Sequence, residues 1–259
     1  PSLRTRVSFD VAMSQLGGHA IYLSPQEVGL GERERIKDAA RVLSRYVDVV
    51  VMRTYSQSVA QEMASYASVP VINGLSDEEH PCQALADLMT IMEKKGKLQG
   101  LTLAFIGDGC NVAHSVLLAC ALMGLNFRIA CPVGYEPRSS ILARGQEFSS
   151  RSGAEILITR SPREAVAGAD IVYTDVWVSM GQEGEGEARH RAFAGYVVNQ
   201  ELMALAKEAA LFMHPLPAHP GEEVAPDILE YPCSVIYDQA ENRLHLQKAV
   251  LAELLGAER

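Results

Sequence analysis

Paired cysteines are what this sequence most visibly lacks. Cys82, Cys110, Cys120, Cys131 and Cys233 are scattered without a single CxxC spacing. An odd, unpatterned set speaks against a disulfide framework and against a zinc site, and points to reduced thiols in a cytoplasmic protein. Long apolar runs are missing too. Nothing approaches the roughly 20 residues of a membrane span, and no signal peptide is visible. Basic charge is scarce: the formal net charge is -9. A non-specific nucleic-acid binder would be basic, and an acidic protein that holds an anion must gather its arginines locally. The sequence has no internal repeat and no low-complexity segment. Nor does it complete a dinucleotide fingerprint. After Gly107 and Gly109, position 112 is Val, and the following FRIACP run ends without the acid that would hold a ribose. His19, His114, His190, His219 and His245 show no metal-ligand arrangement, so no metal is expected.

What is present is a regular alternation. At 259 residues with 48% hydrophobic and 21% charged residues, the chain suits two domains with sizeable cores. Short apolar runs read as strands: HAIYL at 19–23, DVVVMRT, VPVING, LTLAFIGDG, FRIACP, EILIT, DIVYTDVW, ALFMHPLP and SVIYDQA. Helical patterns separate them: RIKDAARVLSRYV, QSVAQEMASYA, HPCQALADLMTIMEKKG, NVAHSVLLACALMG and the closing ENRLHLQKAVLAELLG. Strands apolar on both faces with helices between them predict α/β architecture: two domains, each a mainly parallel sheet flanked by helices. KKGKLQG at 94–100 marks the boundary. GQEGEGEARHR at 181–191, rich in Gly and Glu without apolar anchors, reads as a mobile or a plain solvated loop.

Ligands of open parallel sheets sit beyond the carboxyl ends of the strands. That rule selects SLRTR at 2–6, MRT at 52–54, HPCQ at 80–83, GDGCN at 107–111, DVWVSMG at 175–181 and HPLPA at 214–218. In SLRTR, a helix starting near Thr5 or Arg6 would aim free N–H groups at an anion, with Ser2, Arg4 and Thr5 as further donors. The same residues could be an ordinary cap with solvated arginines. Arg53 ends a buried strand as a ligand group or as its first exposed residue. His80 and Gln83, on the first turn of a helix, are neutral donors that could face one point. Asn111 starts a helix and could meet a small polar ligand. Asp175, a strand-end carboxylate, could hold an ammonium group or cap a turn. Pro215 and Pro217 lack an N–H, so their stretch presents carbonyls. Arg243 could reach an anion or lie on the surface, and Trp177 reads as packing. A phosphate-type motif at the second residue should follow a strand, so a helix and strand are expected upstream of this chain's first residue.

The ordered set SxRTR, RT, HPxQ, DGxN, DVWxSMG, HxLP and AENR resembles the aspartate/ornithine carbamoyltransferase family over essentially the whole chain, and SMG after DVW resembles its ornithine branch. The resemblance implies a carbamoyl phosphate-binding domain at 1–93, an ornithine-binding domain at 98–235, and a segment at 236–259 that packs back on the first. It implies transfer of the carbamoyl group to the δ-amine of L-ornithine, giving citrulline in arginine biosynthesis or breakdown, without a cofactor, in a homotrimer or a multiple of trimers. Carried over, Ser2, Leu3, Arg4 and Thr5 would hold the phosphate. Arg53, His80, Gln83 and Arg243 would contact the carbamoyl group and phosphate, with Arg53, His80 and Arg243 catalytic. Asn111, Asp175, Ser179 and Met180 would position ornithine. Pro215 and Leu216 would bind the carbamoyl phosphate, their backbone carbonyls orienting the reacting amino groups.

Three positions depart from the family pattern. Pro215 stands where ornithine enzymes usually have Cys, which removes that thiol from the acceptor side. Leu3 stands where many members have Thr. Gly29 stands where many have a Gln that reaches a neighbouring subunit. These departures keep open a carbamoyltransferase for another acceptor (putrescine, N-acetylornithine, aspartate) or a catalytically inactive carbamoyl phosphate-binding protein.

Overall fold

The computed structural model describes residues 3–24, 28–31, 33–178 and 183–256. The chain divides into two compact units. One comprises the chain up to Cys82 together with the chain from Glu241 onward; the other is Gln83–Ala240.

The first unit begins with helix α1 (Leu3–Gln15), followed by α2 (Ile36–Leu43), strand β1 (Val50–Arg53), α3 (Gln57–Tyr66) and β2 (Val71–Leu75). The two strands are parallel. Side chains alternate across a strand, and both faces here are apolar. Ile72 meets Phe9, Ala12, Cys82 and Leu251, with Val51 beside them. Met52 meets Ala40, Ala60 and Met63, with Val50 and Val71 beside them. The register slips between Met52 and Arg53. Gly74 lies opposite that slip, where a Cβ would come 3.1 Å from the Met52 carbonyl oxygen and 3.2 Å from Val51 Cγ1. Such irregularities re-aim the next side chain, here that of Arg53.

The second unit carries α4 (Pro81–Lys95, entering from the first unit), β3 (Thr102–Ile106), α5 (Asn111–Met123), β4 (Asn126–Ala130), α6 (Ser139–Ser152), β5 (Ile156–Thr159), α7 (Pro162–Val166) and β6 (Ile171–Thr174). After them come a 3₁₀ turn (Glu183–Glu185), α8 (Gly186–Phe193), α9 (Gln200–Met203), β7 (Leu211–Met213) and α10 (Ile236–Gly256), which runs on into the first unit. The strands form a parallel sheet in the order β5-β4-β3-β6-β7. Leu103, Phe105, Phe127, Ile129, Ile171 and Tyr173 face the helices carrying Leu88, Ile91, Leu117 and Ile141. Ala104, Ile106, Ala130, Val172 and Phe212 face Ala165, Val166, Leu202 and Ile228. Helices on both faces explain why the strands read as continuous apolar runs. The winding reverses between β4 and β6, on either side of β3, so the switch point lies at the carboxyl ends of β3 and β6. GDG at 107–109 and Asp175 follow those two ends directly.

Two expected strands are not strands. Residues 19–23 have no ladder partner, and Ile21, Tyr22 and Leu23 are exposed. SVIYDQA contributes one bridge, Ser234 with Phe212; the helix starts at Ile236, seven residues before Arg243 rather than just ahead of it. The Gly- and Glu-rich stretch is also more ordered than its composition suggests. Its described part forms the 3₁₀ turn and α8, anchored by Arg189 and by fully buried Phe193.

Candidate active site

In the first unit, a cluster of basic and polar side chains gathers at the amino end of α1. Thr5 Oγ1 accepts from Arg53 Nη1 at 3.2 Å and from Arg243 Nη2 at 3.2 Å. Thr5, His80 and Arg243 are buried and Arg53 is half-buried. Burial pushes the Arg53 guanidinium pKa down, and Arg243 and Arg4 add to the fall. Burial likewise holds His80 well below the usual imidazole range, with Arg243, Arg53 and Arg4 adding to the effect. Three arginines thus crowd a neutral imidazole beside a helix amino end, a field that an anion relieves. Leu3 is 77% exposed, so its backbone N–H, not its side chain, is what it offers. Sequence reasoning placed His80 within a helix turn; the helix begins at Pro81, with His80 immediately before it. Ser2 lies outside the described residues.

The state of His80 has a pH consequence. In the unfolded chain this histidine takes up a proton near its ordinary pKa of 6.5, and in the fold it resists doing so. The unfolded state therefore binds more protons as pH falls below 6.5, and folding is weakened from there down to the depressed folded pKa. Urea denaturation of wild type and His80→Gln at pH 7.5 and pH 5 should show a smaller acid-side loss in the variant. Equal losses would contradict a neutral buried imidazole.

In the second unit, the β3–α5 turn needs its glycines. A Cβ on Gly109 would stand 2.3 Å from Pro137 N and 2.4 Å from Glu136 C, both backbone atoms. Gly109→Ala should cost about 1–3 kcal/mol by overpacking, read as a lowered midpoint in the same denaturation assay. Asn111 opens α5, its Oδ1 accepting the Val112 N–H at 2.9 Å. Two carboxylates lie near this turn, and they differ in their partners. Asp108 has a cation: Arg189 Nη1 donates to its Oδ2 at 2.8 Å and to the Trp177 carbonyl at 2.9 Å, and Arg189 Nε reaches Glu185 Oε2 at 3.1 Å. Asp175 is 8% exposed and, among the described residues, makes no ion pair. Its Oδ1 accepts the Val176 N–H at 2.8 Å. The Cys110 thiol lies 3.7 Å from its Oδ2 and donates to it. Burial raises the Asp175 carboxyl pKa, with Glu223 adding to the rise and His214 opposing it. A buried carboxylate without a cation is costly, and it marks the place where a cationic ligand would be most welcome.

The HPLP stretch is held from below. His214 Nδ1 accepts the Leu216 N–H at 2.9 Å, which leaves Nε2–H to donate to Glu223 Oε1 at 3.0 Å. That fixes the tautomer. Glu223 is fully buried; burial opposes its ionisation, but the His214 and His219 donors outweigh it and its pKa falls. Leu216 sits at φ 58, a left-handed conformation that a branched side chain adopts only when its surroundings impose it. Pro215 is buried and Leu216 half-buried. The backbone N–H of His214 donates to Gln239 Oε1 at 2.9 Å. Gln239 in turn donates to Asp87 at 2.8 Å and to Tyr173 at 3.1 Å, and Gln83 also donates to Asp87 at 2.8 Å. Gln83 is thus tied to a buried network that ends at the HPLP backbone.

Sequence reasoning missed Cys110, Arg189, Glu223 and Gln239. It also missed that His219, Glu222 and Glu223 bring three ligand-type atoms within 4.8 Å of one another. Cys110 sets a thiol beside the Asp175 carboxylate, from another strand end. Ser179 and Met180 lie outside the described residues. Gly29 is at φ +57, with Arg33 Cβ 3.0 Å from where a Cβ would stand, so a Gln there would be strained in this backbone. Trp177 packs, as expected, stacked on Phe193 at 5.8 Å.

Known proteins match this arrangement. Residues 1–93 match the aspartate/ornithine carbamoyltransferase carbamoyl-P binding domain, and residues 99–254 match the Asp/Orn binding domain of the same family. The chain belongs to the aspartate/ornithine carbamoyltransferase family. It is 53% identical over 255 residues to the ornithine carbamoyltransferase of Anoxybacillus flavithermus, covering 98% of this chain and 81% of that one. The solved ornithine carbamoyltransferase from Pyrococcus furiosus superposes with a TM-score of 0.97 at 52% identity, over 100% of this chain and 83% of that one. The anabolic enzyme from Campylobacter jejuni superposes at 0.95 with 39% identity, over 100% and 86%. Within these matches, Arg4, Arg53 and His80 fall in the carbamoyl-P binding part, and Arg243, like Asp175, falls in the Asp/Orn part. Among the described residues no helix is long and apolar enough to cross a membrane.

Proposed function

We propose that this protein transfers the carbamoyl group of carbamoyl phosphate to the δ-amine of L-ornithine, releasing L-citrulline and phosphate. The observation that carries the acceptor assignment is Asp175, a buried carboxylate with no cation of its own among the described residues. It suits an acceptor with a second amine and disfavours aspartate, whose extra carboxylate calls for a basic pocket. The donor assignment rests on Arg4, Thr5, Arg53, His80 and Arg243. Arg4, Arg243 and the amino end of α1, with Ser2 and the Leu3 N–H, hold the phosphate. Arg53 and neutral His80 donate to the carbamoyl oxygen, whose charge grows as the uncharged amine attacks. Gln83 assists on the carbamoyl group. The new C–N bond forms, the C–O bond to phosphate breaks, and the amine's proton leaves with the phosphate.

On the acceptor side, Asn111, Asp175, Ser179 and Met180 position ornithine, and the carbonyls of Pro215 and Leu216 accept from its reacting nitrogen. Holding both substrates in register does much of the remaining work. The chemistry asks for no cofactor. The protein acts in the cytoplasm, as a homotrimer or a multiple of trimers, in arginine biosynthesis or breakdown. Phosphate release from carbamoyl phosphate, followed with and without ornithine, tests the reading: release should require ornithine. Ornithine-independent release, or none, would contradict it.

Pro215 supports a second reading, in which the acceptor is a related amine such as putrescine or N-acetylornithine.

A further inference from the structure

We infer that Cys110 is a positioning residue for the acceptor: its thiol aims the Asp175 carboxylate. The inference rests on the reading of Asp175 as the acceptor carboxylate.

Cys110 occupies the N-cap of α5, yet its side chain makes no capping hydrogen bond. Ser, Thr, Asp and Asn are the residues that cap helices well; Cys is a poor substitute, although the Val112 and Ala113 N–H groups approach its sulfur. That Sγ lies 3.7 Å from Asp175 Oδ2. The thiol is held protonated, and so remains a donor. Burial pushes its pKa well above the usual thiol range, and the neighbouring Asp175 and Asp108 push it further.

Among the described residues, the two oxygens of Asp175 therefore each have one neutral donor, Val176 N–H on Oδ1 and Cys110 S–H on Oδ2. Neither donor removes the negative charge. A thiol is a weak donor, so Oδ2 keeps acceptor capacity for an incoming ammonium while its rotamer stays fixed. Asp108 shows what the alternative looks like. It is gripped by Arg189 at 2.8 Å, and a carboxylate so neutralised has little left for a ligand. Cys110 thus keeps Asp175 ordered without spending its charge. Pro215, with no side-chain donor, cannot do this from the HPLP stretch.

The test compares wild type, Cys110→Ala and Cys110→Ser in steady-state assays that vary ornithine and carbamoyl phosphate separately, with thermal melts as a check on folding. Cys110→Ala should raise the KM for ornithine about 5- to 10-fold, the loss of one modest hydrogen bond. The KM for carbamoyl phosphate should stay within about twofold. Cys110→Ser, which restores a donor, should recover most of the ornithine KM. The inference is overturned if the alanine variant binds ornithine as wild type does, if both KM values move together, or if serine rescues no better than alanine. Wild type measured alongside separates the two readings. Failure of wild type to use ornithine would overturn the proposed function itself, whereas a wild-type enzyme indifferent to Cys110→Ala would overturn only this inference.

Discussion

Arg53→Ala is expected to lower kcat by about 100- to 1000-fold, the usual effect of deleting a donor aimed at a developing oxyanion. The same substitution should leave the unliganded fold intact. Arg53 is half-buried, and burial together with Arg243 and Arg4 disfavours its charge. It donates to Thr5 Oγ1 at 3.2 Å, and removing it also relieves repulsion among the arginines. Inorganic phosphate should stabilise wild type, because a ligand of the native state raises its apparent stability, and should stabilise the variant far less. A variant with a near wild-type rate, or one that gains as much from phosphate as wild type, would remove Arg53 from the anion site.

Asp175→Asn should separate the two substrates. Losing one partner of a buried, hydrogen-bonded charge pair costs about 2–5 kcal/mol. That corresponds to roughly 30- to 4000-fold in kcat/KM for ornithine. The KM for carbamoyl phosphate should scarcely change. Stability should move the other way. The folded carboxyl pKa is raised, chiefly by burial, so the unliganded carboxylate weakens the fold at any pH above the folded value. The penalty vanishes once pH falls below the unfolded value of 3.8. The apo variant should melt above wild type at pH 7, and the gap should shrink in acid. Equal loss toward both substrates, or a variant less stable at pH 7, would contradict Asp175 as an unpaired carboxylate reserved for a ligand.

The centre of the second unit's sheet was legible because β3 and β6 are buried on both faces. Thr102–Ile106 is buried along its whole length, so its apolar run could not belong to an exposed element. HAIYL looked similar but has no neighbour to pair with, and alternation alone supplies none; Tyr22 instead lies under Arg6, 4.0 Å from ring centroid to guanidinium. SVIYDQA misled because Val235 and Ile236 are β-branched and favour strands locally. The buried series Ile236, Gln239, Arg243, Gln247 and Leu251 has helical spacing, and reading past the β-branched pair would have revealed it.

The strand-end rule selected Arg53, Asn111 and Asp175, because each ends a strand, follows one or opens the next helix. Which arginines converge is not local information. Thr5 and Arg243 are 238 positions apart, and the resemblance to the family, not the pattern, paired them. Glu223 and Arg189 were hidden for a related reason. Each lies in a stretch without apolar period, and each is buried only because a distant partner, His214 or Asp108, awaits it. Cys110 carried a signal that went unread: a poor capping residue at a helix start.

The most direct measurement is product identification from carbamoyl phosphate with ornithine, putrescine, N-acetylornithine and aspartate supplied in parallel. Rapid citrulline formation is expected from ornithine, with little or no carbamoylated product from the other three. Turnover of another amine with ornithine inert would contradict it, and would show that Pro215 and Gly29 belong to an enzyme with a different acceptor.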